Sequence, residues 1–290
     1  MYLTISTIKD TYYFGRKSKE LPFIELKKSP FSTNSQPIKI YYQEYGKGFP
    51  LVFLHSGWGY EIYHFKKQIE LLQNDFHILI PDRAGYGRST RLDSLPSNFH
   101  QLAAIEMIEF LNNLAIEKAF LWGHSDGAVI AAIMGLTNPS RVLGLILEAF
   151  HFFRAKPSSL SFFQNMIATP EDFGERITQT LAQDHGKDYW RKVLHNGGQA
   201  WLQIIAESDN QDKDFYFQRL AELTPPTLFI HGEKDLRTEI GEMQAVQKLL
   251  PKATFHFLKD TGHSPHTSSK GASECNYLAV DFLVNNKEKD

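Results

Sequence analysis

Cysteine is all but missing from the 290 residues: Cys275 stands alone, so no disulfide forms within the chain and no four-ligand Cys/His set at zinc spacing can be assembled. No uninterrupted apolar run reaches the roughly 18 residues that a membrane-crossing helix needs. The segment Met1 to Arg16 is polar and aromatic, without the apolar stretch of a secretory signal. An excess of charge is lacking too. Lys+Arg number 31 against 33 Asp+Glu, a formal net charge of −2, and the basic residues form no stripe able to neutralise a phosphate backbone. The expectation is a soluble cytoplasmic protein in a reducing compartment, with neither nucleic acid nor membrane as partner. Internal repeats and low-complexity segments are missing as well. A hydrophobic fraction of 42% is enough for a full core, which excludes a disordered or collagen-like chain.

What is present is an alternation. From about Ile38 onward, short apolar runs alternate with helically spaced segments. Ile38 to Glu44, Pro50 to His55, Phe76 to Pro81, Ala119 to Trp122, Val142 to Leu147, Thr227 to His231 and Thr254 to Leu258 read as strands. Tyr63 to Leu72, Asn98 to Leu114, Ala128 to Thr137, Glu239 to Leu250 and Ala272 to Val284 read as helices, and Phe23 to Lys27 as a further short strand. Continuous apolar strands joined by helical crossovers make a parallel sheet covered on both faces, so the fold class is α/β and doubly wound. The alternation breaks between His151 and Leu223, where helical stretches follow one another. Residues 1–150 and 224–290 are therefore expected to form the core, and 151–223 an inserted helical cap. The tail from Lys287 is charged and expected to fray.

Ligands in open α/β sheets sit beyond the carboxyl ends of the strands, so the residues just after each apolar run carry the chemistry. The Ala119 run is followed by Gly123-His124-Ser125-Asp126-Gly127 and then by a helix, which is G-x-S-x-G in a strand, turn, helix setting. Its bland reading is a tight glycine turn with an incidental serine. Gly232-Glu233-Lys234-Asp235 and Asp260-Thr261-Gly262-His263 follow two later strands and complete the chain order Ser, Asp, His. A hydroxyl is a weak nucleophile near neutrality, so Ser125 needs His263 as base, and Asp235 to orient His263 and stabilise its charged form. After the second strand, His55-Ser56-Gly57-Trp58-Gly59 can place the Gly57 N–H beside that of Asp126 as an oxyanion hole.

From about residue 38 onward, these motifs and the Asp82-Arg83-x-Gly85-x-Gly87-x-Ser89 loop resemble the α/β-hydrolase fold superfamily. Ser125-Asp126-Gly127 and His231-Gly232-Glu233-Lys234-Asp235 are similar to the valacyclovir hydrolase-type aminoacyl-ester hydrolases, with His124 where those enzymes carry Trp and His55-Ser56 where they carry Pro-Gly. The resemblance implies a mostly parallel sheet of about eight strands, a helical cap after the sixth, no cofactor, and hydrolysis of a small-molecule ester or amide through an acyl-enzyme. Carbon–carbon bond hydrolysis of ring-cleavage products uses the same triad, and a small-molecule receptor can retain it with residual turnover. Dehalogenase chemistry needs a carboxylate nucleophile, and position 125 is serine.

Four further readings stay open. Glu148, at the end of its strand, is an alternative triad acid and, with Trp58, a candidate for substrate contact. The Asp126 carboxylate either gains from the helix dipole or pairs with a substrate ammonium. His266, three residues after His263, either forms a loop hydrogen bond or belongs to a metal pair, and His55 and His124 read as turn anchors. Aromatic residues crowd the insertion, Phe162, Phe163, Trp190 and Trp201 among them, and serve as its core or as the roof of an apolar pocket.

Overall fold

The computed structural model describes residues 22–32, 37–208 and 214–287. The segment Met1 to Arg16 and the last three residues of the charged tail lie outside the described residues. Eight strands form one sheet: β1 (Phe23–Leu26), β2 (Ile38–Tyr45), β3 (Phe49–Leu54), β4 (Phe76–Pro81), β5 (Ala119–His124), β6 (Val142–Glu148), β7 (Thr227–Gly232) and β8 (Thr254–Leu258). Their spatial order is β1-β2-β4-β3-β5-β6-β7-β8. The pairings β1–β2 and β2–β4 are antiparallel; every other pairing is parallel. All residues of β5 and β7 are buried, as strands covered on both faces must be, whereas the edge strand β8 is largely open.

Helices α1 (Lys66–Leu72), α2 (Phe99–Asn113), α3 (Asp126–Thr137), α4 (Leu160–Ala168), α5 (Glu175–His185), α6 (Trp190–Ala206), α7 (Glu242–Leu249) and α8 (Ala272–Lys287) complete the molecule. One hydrophobic layer joins the sheet to α2, α3 and the α4–α6 segment, and a second joins its other face to α1 and α8. Helix α3 is apolar nearly all round because it packs on the sheet and on α2. Between β6 and β7 the described chain contains α4, α5 and α6, with an isolated bridge between Phe153 and Asp214 as the β-type pairing there. No helix among the described residues is long and apolar enough to cross a membrane.

Three helix starts differ from the periodicity reading by two residues or more, each for a local reason. Helix α1 starts at Lys66 because Glu61–Tyr63 forms a separate 3-10 turn ahead of it. Helix α7 starts at Glu242 because Gly241 is left-handed, with φ 82°. Helix α3 begins at Asp126 rather than Ala128, so Ser125 itself stands at the cap position.

Candidate active site

The turn between β5 and α3 is dictated by close approach. A Cβ on Gly123 would lie 2.2 Å from the Gly127 carbonyl oxygen, and one on Gly127 would lie 2.0 Å from that of Leu54 in β3. With glycine at both positions the chain reverses tightly and holds Ser125 at φ 56°, ψ −119°, a conformation that costs a non-glycine residue on the order of 1–3 kcal/mol. The Ser125 N–H donates to the Glu148 carbonyl at 2.9 Å, tying the turn to β6. The strain is thus fixed by the framework, and it aims Oγ away from the sheet.

Ser125 Oγ lies 3.0 Å from His263 Nε2, and His263 Nδ1 lies 2.9 and 3.0 Å from the two carboxylate oxygens of Asp235. Nδ1–H donates to the carboxylate, which leaves the Nε2 lone pair facing the hydroxyl. Burial opposes ionisation of Asp235. The field and hydrogen bonds of His263, aided by His231 and the Arg237 N–H, outweigh it and hold the carboxyl well below the usual range. The loops after β5, β7 and β8 supply the three groups, so the strand-end positions singled out in the sequence meet at one point.

Glu148 is elsewhere. It is fully buried and does not border the cleft. Its Oε1 accepts from the His266 backbone N–H at 2.9 Å and pairs with His266 Nδ1 at 2.7 Å, while Oε2 accepts from Trp122 Nε1 at 3.1 Å. Burial opposes its ionisation, but the His266 charge and hydrogen bonds bring the carboxyl down to about 2. His266 Nε2 faces the Tyr63 carbonyl at 3.0 Å, so the ring braces the loop that carries His263. No group of three metal-ligating side chains is gathered among the described residues. His124 Nε2 meets the His263 carbonyl at 2.8 Å, and His55 Nε2 accepts from the Arg83 N–H at 3.1 Å.

The loop after β3 lies against the start of α3: a Cβ on Gly57 would come within 2.5 Å of Asp126 Oδ2. The Arg83 guanidinium fixes that loop, donating to the Ser56 carbonyl at 2.9 Å and to that of His55 at 3.3 Å. Asp126 is the first residue of α3, where a backbone N–H has no partner within its own helix. The Asp126 carboxylate is buried. Its Oδ1 accepts from His100 Nε2 at 3.1 Å, and Trp201 bonds to it as well. Burial keeps His100 neutral, pressed among Phe99, Trp201 and Phe215. For Asp126, burial is outweighed by His100, the Arg83 charge and the Trp201 bond, so the carboxylate is ionised.

A residue beside the Ser125 hydroxyl has no counterpart in the sequence reading. His151 Nε2 lies 3.3 Å from Ser125 Oγ, and its ring lies parallel to that of His263 at 5.7 Å. Burial first, then the charges of Lys156 and His263, push it well below the ordinary histidine value, so it is neutral. The available signal was its place three residues beyond the end of β6, where the same strand-end rule applies.

These groups open on a cleft. Gly57, Trp58, Ser125, Asp126 and His263 border it from the sheet side, and Phe162, Phe163, Met166 and Trp201 from α4 and α6. Trp58 lies nearly parallel to Phe162 at 5.4 Å, and Phe163 to Trp201 at 4.9 Å, so two aromatic pairs form much of the wall.

The chain is similar to known hydrolases. Serine hydrolase BPHL from Homo sapiens is 25% identical over 250 residues, which cover 85% of this chain and 83% of that protein. Pimeloyl-[acyl-carrier protein] methyl ester esterase from Vibrio vulnificus (strain CMCP6) is 27% identical over 249 residues, covering 78% and 91%. Among solved structures, a thermophilic esterase from Thermogutta terrifontis matches with a TM-score of 0.68 at 18% identity, over 91% of this chain and 98% of that one, a likeness of fold. The model of the alpha/beta hydrolase family matches residues 51–272, most of the sequence, and the chain belongs to that family.

Proposed function

We propose that the protein is a cofactor-free serine hydrolase that cleaves a small-molecule ester or amide through an acyl-enzyme, with Ser125 as nucleophile, His263 as general base and acid, and Asp235 as the residue that orients His263. The observation that carries this reading is the continuous chain from Ser125 Oγ through His263 to Asp235, at 3.0 and 2.9 Å, on a strained turn opening into an aromatic-walled cleft. The names of the relatives, a serine hydrolase and a methyl ester esterase, support it.

The chemistry follows from the positions. His263 Nε2 takes the hydroxyl proton as Ser125 Oγ adds to the substrate carbonyl carbon. The carbonyl electron pair moves onto oxygen, which in this reading accepts from the backbone N–H groups of Gly57 and Asp126, each worth about 3 kcal/mol in comparable sites. The C–O or C–N bond then breaks, and Nε2 returns the proton to the leaving atom. Water activated by the same nitrogen cleaves the acyl-enzyme. Helices α4 to α6 act as a cap whose aromatic side chains enclose a small or medium apolar acyl group.

The ionised Asp126 carboxylate at the cleft favours one substrate class within this reading, esters or amides of amino acids. It makes no ion pair with a lysine or arginine among the described residues, which leaves it able to receive an α-ammonium group. The test compares a phenylalanyl ester with its des-amino analogue in wild type, Ser125→Ala and Asp126→Asn. Both esters are expected to turn over, with loss in Ser125→Ala. The amino ester should lead by at least about tenfold in kcat/KM, a lead erased by Asp126→Asn. Equal rates in the wild type would leave Asp126 with the helix-dipole role alone; undiminished turnover by Ser125→Ala would contradict the nucleophile assignment.

A further inference from the structure

We propose that Arg237 is a specificity residue that selects substrates whose leaving group carries a carboxylate. The inference rests on the hydrolase reading above and adds the chemical class of the departing half.

Arg237 stands two residues after Asp235, its backbone N–H donating to Asp235 Oδ1 at 2.9 Å, so its place beside the triad is set by the turn that presents the triad acid. It borders the cleft, and its guanidinium carbon lies 3.0 Å from the centroid of the Phe162 ring on α4. The head group has no ion pair and no hydrogen-bond acceptor among the described residues. Other arginines do: Arg91 pairs with Asp188, Arg154 with Glu207, Arg191 with Glu171 and Arg219 with Glu222. The second cation on the cleft, Lys156, is neutralised by Glu242. Arg237 is thus a half-buried charge against an aromatic ring, whose head group makes no ion pair and no hydrogen bond among the described residues.

Burial outweighs the attraction of Tyr63 and Asp235 and lowers the pKa of Arg237 to about 10, which still leaves it charged at neutral pH. A charge that has lost part of its hydration gains more from an incoming anion than a solvated one. The planar fork of donors suits a carboxylate, which it can bind through two parallel hydrogen bonds.

The side of the cleft follows from the chemistry. The charge of Arg237 acts on Tyr63 and Asp235, and the Tyr63 ring stands edge-on to His263 at 6.5 Å. His263 Nε2 must reach the leaving atom to return its proton, so the leaving group occupies the His263 side, where Arg237 is. Asp126, next to the nucleophile, is the negative group of the same cleft. Its polarity therefore runs from an anion beside Ser125 to a cation beside His263.

The test uses two aryl esters of one acyl group, the butyryl ester of 3-hydroxybenzoate and that of 3-hydroxybenzamide, which differ in charge at nearly constant shape. In the wild type the carboxylate ester is expected to lead by at least about tenfold in kcat/KM, chiefly through a lower KM, with the lead shrinking as salt is raised. Arg237→Gln should bring the ratio of the two esters close to one, and Arg237→Lys, which keeps the charge but loses the fork, should retain part of it. That intermediate value separates recognition of charge from loss of packing on Phe162. Turnover that depends on Ser125 with a wild-type ratio of one or less would overturn the inference and leave the hydrolase reading standing. A ratio that survives Arg237→Gln would also overturn it. Absence of Ser125-dependent turnover of either ester would overturn the hydrolase reading and this inference with it.

Discussion

In the proposed mechanism Asp235 acts through another residue, so its role would be visible in what happens to His263 when its charge is removed. An amide at position 235 can present its NH2 to Nδ1 and turn the ring into the tautomer whose Nε2 carries the proton, facing Ser125 with a donor where an acceptor is needed. Asp235→Asn is therefore expected to lower kcat on a short ester by about 10⁴-fold with little change in the far-ultraviolet circular dichroism. Glu148→Gln touches the side-chain brace between His266 and Trp122 and leaves the backbone bond from Ser125 to the Glu148 carbonyl in place, so it should cost far less activity. If Glu148→Gln proves the more damaging while the fold is retained, the acid is misassigned. Ser125, Asp235 and His263 were legible in the sequence because each ends an apolar run and the family motif names its own nucleophile. His151 was not, because nothing local reveals that the chain after β6 turns back over the serine. Arg237 went unread for the same reason: its lack of a partner is a property of the surroundings, which a sequence does not display.

At the scale of elements, the crossing of α4 and α6 makes the roof of the cleft, and it depends on a glycine. A Cβ on Gly198 would stand 2.8 Å from the backbone carbonyl oxygen of Phe163 and 2.8 Å from Ile167 Cγ1, so the two helices approach as closely as their backbones allow. In an exposed helix interior, alanine in place of glycine stabilises by about 1 kcal/mol. Here the added methyl must push α4 away, and Gly198→Ala is expected to destabilise instead, by about 1–3 kcal/mol in urea unfolding. An increase in stability would show that the crossing is looser than described. Element identity was readable where one interaction dominates: the ranges of β4, a buried strand, and of β8, the open edge strand, emerge from their short apolar runs alone. Boundaries set by backbone geometry were less so, as at Gly241, whose left-handed φ delays α7. Strand order and the antiparallel β2 come from pairing distant segments, for which no single stretch carries a signal.

Taken whole, the molecule encloses an unusual number of histidines, and this fixes how its stability responds to acid. His55, His100, His124, His151, His185 and His231 are all buried, and burial holds each below the ordinary value, His231 at about 4 and His124 at about 3. The unfolded chain protonates these rings as pH falls below about 6.5 while the native state refuses the proton. Each then costs about 1.4 kcal/mol per pH unit until its native value is reached. Asp82 and Glu106 run the other way: burial raises both to about 7, so the native state keeps their protons while the unfolded chain has lost them, and their contribution falls as pH rises from about 4 to 7. The histidines outnumber them. The urea midpoint should therefore drop clearly from pH 7 to pH 5, and a flat or rising midpoint would contradict the neutral assignment. The central claim, that the strained turn makes Ser125 the covalent nucleophile, is tested most directly by reacting the protein with a fluorophosphonate and mapping the adduct by peptide mass spectrometry. One adduct is expected, on Ser125, lost in Ser125→Ala and strongly slowed in His263→Ala. Labelling of a different serine, or labelling of Ser125 that does not depend on His263, would contradict the account.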